Sequence, residues 1–107
     1  MITRMVLVEF NEDAPEEALQ TYEQEKLKLE KLPCVKRMIS GLGFIPEKEA
    51  GTQKIMDRVT FPQSLSYWEF EDEAGLDEFL TAPEHLEMVK LDFIRHIKRR
   101  YVGNLKT

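Results

Sequence analysis

The stretch EFLTAPEHLEMV, residues 78–89, sets Pro83 and His85 between two short apolar helical patterns. The proline alone would turn the corner, and it suits a first helical turn, where its missing N–H costs little. The imidazole two residues on is the group that could do chemistry. Its ordinary pKa near ~6.5 lets it give or take a proton around neutral pH. His85 is therefore either a helix-start residue bonded to its own helix or a carboxylate, or a catalytic and ligand-contacting group in a pocket. Arg4 raises the same choice. In TRMVLVEF it alternates with Val6, Val8 and Phe10 on one face. A guanidinium there must reach water by snorkelling, pair with a carboxylate, or hold an anionic ligand, because burying it unpaired is costly.

Other candidates read as structural. His96 stands eleven residues past His85, about 16 Å along a continuous helix, so the pair cannot share a metal or a proton. Trp68 and Phe70 alternate with Tyr67 and Glu69 and read as core. Cys34 follows Pro33 with only Lys36 and Arg37 as basic neighbours, which does not make a catalytic thiol. The run RHIKRR, residues 95–100, reads as cations at a helix C-terminus, where the dipole favours them. No phosphate loop, HExxH or nucleophile elbow occurs. One Cys and two His cannot build a Cys/His zinc site, so neither metal nor cofactor is expected.

The elements that must position these groups follow from periodicity. Residues 3–10 alternate as a strand, with Met5, Leu7 and Glu9 opposite Arg4, and both faces are apolar enough to be covered. Asp13 and Glu16 have capping-box spacing, and Pro15 fits the first turn of a helix. That helix places Ala18, Tyr22, Leu29 and Leu32 on one stripe, with Leu19 at its edge, and ends at Pro33. CVKRMISGLGFI reads as a second strand. Residues 46–61 form an unusually long loop, expected to pack through Ile55, Met56, Val59 and Phe61. SLSYWEFED is a third strand and EAGLDEFL a two-turn helix. Thr81 and Glu84 repeat the capping-box spacing for a last helix running to about Arg99, which buries Leu86, Val89, Phe93 and Ile97. RYVGNL closes the chain as a short strand. The order β-α-β-β-α(α)-β predicts a ferredoxin-like α+β fold with an antiparallel four-stranded sheet. Helices on one sheet face leave Met5 and Leu7 on the other, so a homodimer through the sheets is expected.

The 107 residues bound one domain, 1–107, with 42% hydrophobic and 33% charged residues. A net charge of −5 repels polyphosphate, so no nucleic-acid partner is expected. No apolar run approaches the ~20 residues of a membrane span. The N-terminal apolar stretch is too short for a signal peptide and contains Glu9. The lone Cys34 fits a cytoplasmic location.

MVLVEF, LEKLPCV and YWEFEDEAGLDEFLTAPEH together resemble the stress-responsive A/B barrel domain family, from the first strand to the last. The resemblance implies a dimeric α+β barrel with a pocket between sheet and helices in each subunit. It would turn Arg4, Val6 and Val8 towards Tyr22, Phe79 and His85, the expected ligand-binding set. Cyclase-type members work with a first-strand histidine, a tyrosine in the short helix and the histidine after the proline. Here those positions hold Arg4, Phe79 and His85, and a fixed guanidinium and a phenyl ring move no protons. Cys34 stands where many relatives have glycine, and the 46–61 segment is longer than usual.

Three readings remain open. The first is a dimer that binds a small apolar or aromatic molecule, including a carboxylate. The second is an enzyme, a cofactor-free monooxygenase or a polyketide cyclase or isomerase, using His85 with Arg4 as an oxyanion clamp. The third is a structural stress protein whose pocket is filled by its own side chains.

Overall fold

The computed structural model describes residues 1–50 and 60–107. The elements are β1 (Ile2–Phe10), α1 (Glu16–Glu30), β2 (Arg37–Leu42), a one-turn α2 (Glu47–Ala50) and β3 (Ser64–Phe70). They continue with α3 (Glu73–Thr81), α4 (Pro83–Met88), a 3-10 turn (Asp92–His96) and β4 (Ile97–Lys106). The sheet is antiparallel in the order β2-β3-β1-β4, the ferredoxin-like arrangement.

β1 is central because its alternation offers an unbroken inward row. Ile2, Arg4, Val6, Val8 and Phe10 are all buried. From β3, Trp68 and Phe70 join them, with Ser64 and Ser66 also buried. The helices supply Ala18, Tyr22, Leu29, Phe79 and Met88, and the 3-10 turn supplies Phe93. The expectation that β1 is covered on both faces does not hold within one subunit. Met5 is 38% exposed, and its cross-strand neighbour Tyr67 is 41% exposed.

Helix starts differ from expectation. Pro15 precedes α1 as its N-cap, in extended conformation, without any side-chain cap; Asp13 does not cap it. Ala82 likewise precedes α4 uncapped, while the Thr81 hydroxyl donates back to the Asp77 carbonyl at 2.8 Å. Pro83 does open α4, and Ala82 has the extended backbone that a following proline imposes. α3 carries a real cap: Asp72 accepts from the Gly75 N–H at 2.9 Å.

The largest departure is the last third of the chain. No helix runs to Arg99: α4 stops at Met88, and β4 starts at Ile97. Leu86 and Val89 are 46% and 41% exposed, while His85 and Met88 turn inward. Spacings of three and four in Leu86, Val89, Phe93 and Ile97 imitate a helix. Pairing against the whole of β1, from Ile2↔Lys106 to Phe10↔Ile97, wins instead. The final strand is therefore ten residues long. The other expected strands shorten at their ends, β2 to Arg37–Leu42 and β3 to Ser64–Phe70.

Of the residues expected to order the 46–61 segment, Ile55, Met56 and Val59 lie outside the described residues. Phe61 lines a shallow apolar depression of about 400 Å³ with Ile39, Leu42, Phe44, Leu65 and Tyr67. Chain approach there is close. A Cβ on Gly43 would fall 2.4 Å from the Pro62 carbonyl oxygen, so only glycine fits beside that turn.

Candidate functional site

Arg4, Val6, Tyr22, Phe79 and His85 converge on one small cavity between the sheet and the helices, about 20 Å³ in volume. That is room for about one water molecule. Val8, expected with them, is fully buried in the core and does not line the cavity. Five lining residues were not foreseen as site groups: Lys26, Leu29, Met88, Arg100 and Trp68, whose indole makes one wall.

β1 brings in Arg4 by alternation. The side chain is 8% exposed, and its Nη1 donates to the Asn104 Oδ1 at 3.1 Å, directly across the β1–β4 ladder. Among the described residues no carboxylate pairs with it. Burial lowers the Arg4 pKa, and nearby Arg100 lowers it further.

Pro83 sets the first turn of α4 so that His85 faces inward. The ring lies 5.0 Å from that of Phe79, which in turn packs 5.1 Å from Trp68. His85 Nδ1 is buried without a hydrogen-bond partner. Burial lowers the pKa of His85, and the charges of Arg100 and Arg4 lower it further; the Leu80 carbonyl pulls weakly the other way. The imidazole is thus held neutral at ordinary pH. His96 takes no part: its Nε2 lies 3.8 Å from Asp92 Oδ2, at the 3-10 turn.

α1 contributes Tyr22 and, one turn on, Lys26. The lysine is 1% exposed. Its Nζ lies 2.7 Å from Glu23 Oε2 and donates to Ser64 Oγ at 2.8 Å, over the Tyr22 ring. Ser64 in turn donates to Glu23 at 2.6 Å. Burial lowers the Lys26 pKa while Glu23 opposes the shift. The sequence did carry a signal for Lys26: it sits four after Tyr22 and three before Leu29, on the inward stripe. The Tyr22 pKa is raised, mainly by burial, against the pull of the adjacent Arg100.

Arg100 reaches the cavity through an irregularity. β4 pairs Arg99 with Glu9 but Ile97 with Phe10, so Lys98 is an extra residue in the ladder. The alternation beyond it is inverted, and Arg100 shares the inward side with Val102 and Asn104. RHIKRR is thus divided: Arg95 and His96 close the 3-10 turn, while Lys98, Arg99 and Arg100 lie on β4 rather than at a helix end. Lys98 and Arg99 stand 3.9 and 3.8 Å from the Glu9 carboxylate.

The thiol of Cys34 is pushed up by burial and then by Glu78, so it stays protonated. Among the described residues no cluster of His, Cys, Asp and Glu is suited to a metal ion, and no helix is long and apolar enough to cross a membrane.

The family model described as the stress responsive A/B barrel domain matches residues 2–102. No curated protein matches the sequence. Solved structures share its fold. The hydroxynitrile lyase from Passiflora edulis is 18% identical, with a TM-score of 0.77 over 97% of this chain and 90% of that one. A dimeric protein of unknown function and ferredoxin-like fold from Bacteroides fragilis is 21% identical, with a TM-score of 0.71 over 99% and 95%. A dabb family protein with a ferredoxin-like fold from Mesorhizobium loti is 15% identical, with a TM-score of 0.72 over 99% and 95%.

Proposed function

The chain belongs to the stress responsive A/B barrel domain family, and from that premise we propose that it works as a homodimer whose subunits each bind a small apolar or aromatic molecule between sheet and helices. The observation that carries the reading is the cavity itself. Trp68, Phe79, Met88 and Val6 give it apolar walls, and Arg4, Tyr22 and His85 line it beside them. Apolar walls with a few convergent polar groups are what small-molecule sites are made of. Met88 lines the cavity, and an unbranched thioether side chain can repack around a ligand. The lone cysteine supports a cytoplasmic location.

The single tryptophan of the chain, Trp68, lines the cavity and gives the test. Titration with small aromatic compounds is expected to change its emission saturably. A folded protein with unchanged Trp68 emission across aromatic probes would leave a pocket filled by its own side chains.

Dimerisation rests on the outer sheet face, where Met5, Ile39, Tyr67 and Tyr101 are 38–52% exposed around Leu7. Apolar area of that extent is normally covered. The solved protein from Bacteroides fragilis is itself described as dimeric. Leu7→Glu, placing a carboxylate amid that face, is expected to yield aggregate or unfolded monomer. Light scattering that finds the unaltered protein a stable folded monomer at micromolar concentration would remove the dimer.

A second reading, an enzyme, is favoured by one specific feature. His85 lines the cavity, and burial with the charges of Arg100 and Arg4 disfavours its protonation; a general base starts from the neutral imidazole. Arg4 would stabilise the anion left when His85 removes a proton, as in isomerase or cyclase chemistry.

A further inference from the structure

The charges around the cavity do not balance. Lys26 is offset by Glu23 at 2.7 Å. His85 contributes nothing when neutral. Arg4 and Arg100 remain, and among the described residues neither has a carboxylate partner. Arg4 has only the neutral Asn104 amide, at 3.1 Å. Two like charges are thus held close to one another beside an apolar cavity, in a protein of net charge −5. Repulsion opposes this arrangement, and so does the desolvation of the buried Arg4.

The backbone nonetheless enforces it. The extra residue at Lys98 inverts the side-chain alternation of β4 and directs Arg100 to the side that carries Arg4. Bulges re-aim side chains in this way, and they concentrate beside active sites. The inner side of β4 is also the open side: Val102, between Arg100 and Asn104, is 41% exposed. An anion could enter there and meet both guanidiniums, beside the Tyr22 hydroxyl that accepts a hydrogen bond from Arg100.

Resting on the reading of the cavity as a ligand pocket, we propose that Arg100 and Arg4 form a carboxylate seat at its β4 side, so that the ligand is a small organic acid held by its carboxylate. A planar carboxylate matches guanidinium forks edge to edge. Trp68, Phe79, Met88, Val6 and Leu29 supply indole, phenyl, thioether and aliphatic walls, which suit a hydrocarbon tail. Asn104 accepts from Arg4 Nη1 at 3.1 Å and so restrains the guanidinium.

The test is calorimetric titration of the full-length protein with benzoate, benzamide and acetate. Benzoate is expected to bind at least about tenfold more tightly than the isosteric neutral benzamide, as a charge-assisted bond of about 1.5–3 kcal/mol implies. Arg100→Gln should weaken benzoate by about tenfold or more and leave benzamide unchanged, and Arg100→Lys should fall between. The exposed position of Arg100 makes these variants safe for folding, which circular dichroism would confirm. Equal binding of benzoate and benzamide would overturn the seat while leaving the pocket. Benzoate binding that is indifferent to Arg100→Gln would do the same. Acetate binding without benzoate would keep the seat and remove the aromatic pocket. Silence from all three probes would remove both.

Discussion

Glu23→Ala is expected to destabilise the fold by about 3 kcal/mol, whereas Lys26→Met should stay within about 1 kcal/mol of the unaltered protein. The asymmetry follows from which charge is trapped. Lys26 is 1% exposed, and its ammonium is held by Glu23 at 2.7 Å and Ser64 at 2.8 Å. Removing Glu23 leaves a buried cation with one hydroxyl and the Tyr22 ring. Breaking a buried pair from one side costs about 3–5 kcal/mol; the lower end applies because the Glu23 side chain keeps 21% exposure. Removing the lysine instead lets Glu23 turn to water while Ser64 still donates to it at 2.6 Å, and methionine refills the apolar volume.

The pH dependence of that deficit has a definite sign. Burial already lowers the Lys26 pKa in the folded protein, and losing Glu23 lowers it further. Between the folded value and the unfolded lysine value near ~10.4, the unfolded chain holds more protons, so stability rises with pH. The Glu23→Ala penalty is therefore full at neutral pH and shrinks in alkali. Urea unfolding at pH 7 and pH 10 measures both effects. Equal losses for Glu23→Ala and Lys26→Met would show that the pair behaves as an ordinary surface bridge.

Lys26 also marks where sequence reading stops. The stripe of Ala18, Tyr22 and Leu29 was legible because apolar residues announce burial; a lysine on the same stripe reads as solvent-facing until the neighbouring Glu23 carboxylate and the Ser64 hydroxyl of β3 are seen around it. β1, α1, α3 and the Pro83–His85 junction were legible for a related reason, since alternation, helical spacing and proline act locally. β4 was not. Its pairing with β1 spans most of the chain, and that distant partner overrode a local pattern in which Leu86, Val89, Phe93 and Ile97 mimic a helix. Arg100 was hidden twice over, first by that false helix and then by the extra residue at Lys98. The convergence of Arg4, Tyr22, Phe79 and His85 came from the family resemblance, because no local rule brings β1, α1, α3 and α4 together.

His85 should respond to protons in two linked ways. In the free protein, burial and the charges of Arg100 and Arg4 depress its pKa below the unfolded value near ~6.5. Tyr22 and the Glu23-paired Lys26 complete the titratable groups around the same cavity. Between the folded and unfolded values the unfolded chain binds the extra proton, so stability increases with pH. Acidifying from pH 7 through 6 should therefore lower the melting temperature, and His85→Gln should flatten that part of the profile. A carboxylate seated between Arg4 and Arg100 would cancel most of the field that depresses His85 and raise its pKa. Benzoate binding should then draw in a proton below neutral pH. Above pH 8 that uptake vanishes, because His85 stays neutral, while affinity persists because both guanidiniums stay charged. Calorimetry at pH 6 in buffers of different ionisation enthalpy separates the proton from the binding heat. His85→Gln should abolish the buffer dependence and retain most of the affinity; Arg4→Gln should lose most of the affinity. A melting profile and a binding heat that both ignore His85→Gln would make the imidazole a packing partner of Phe79, and the proline before it only a corner.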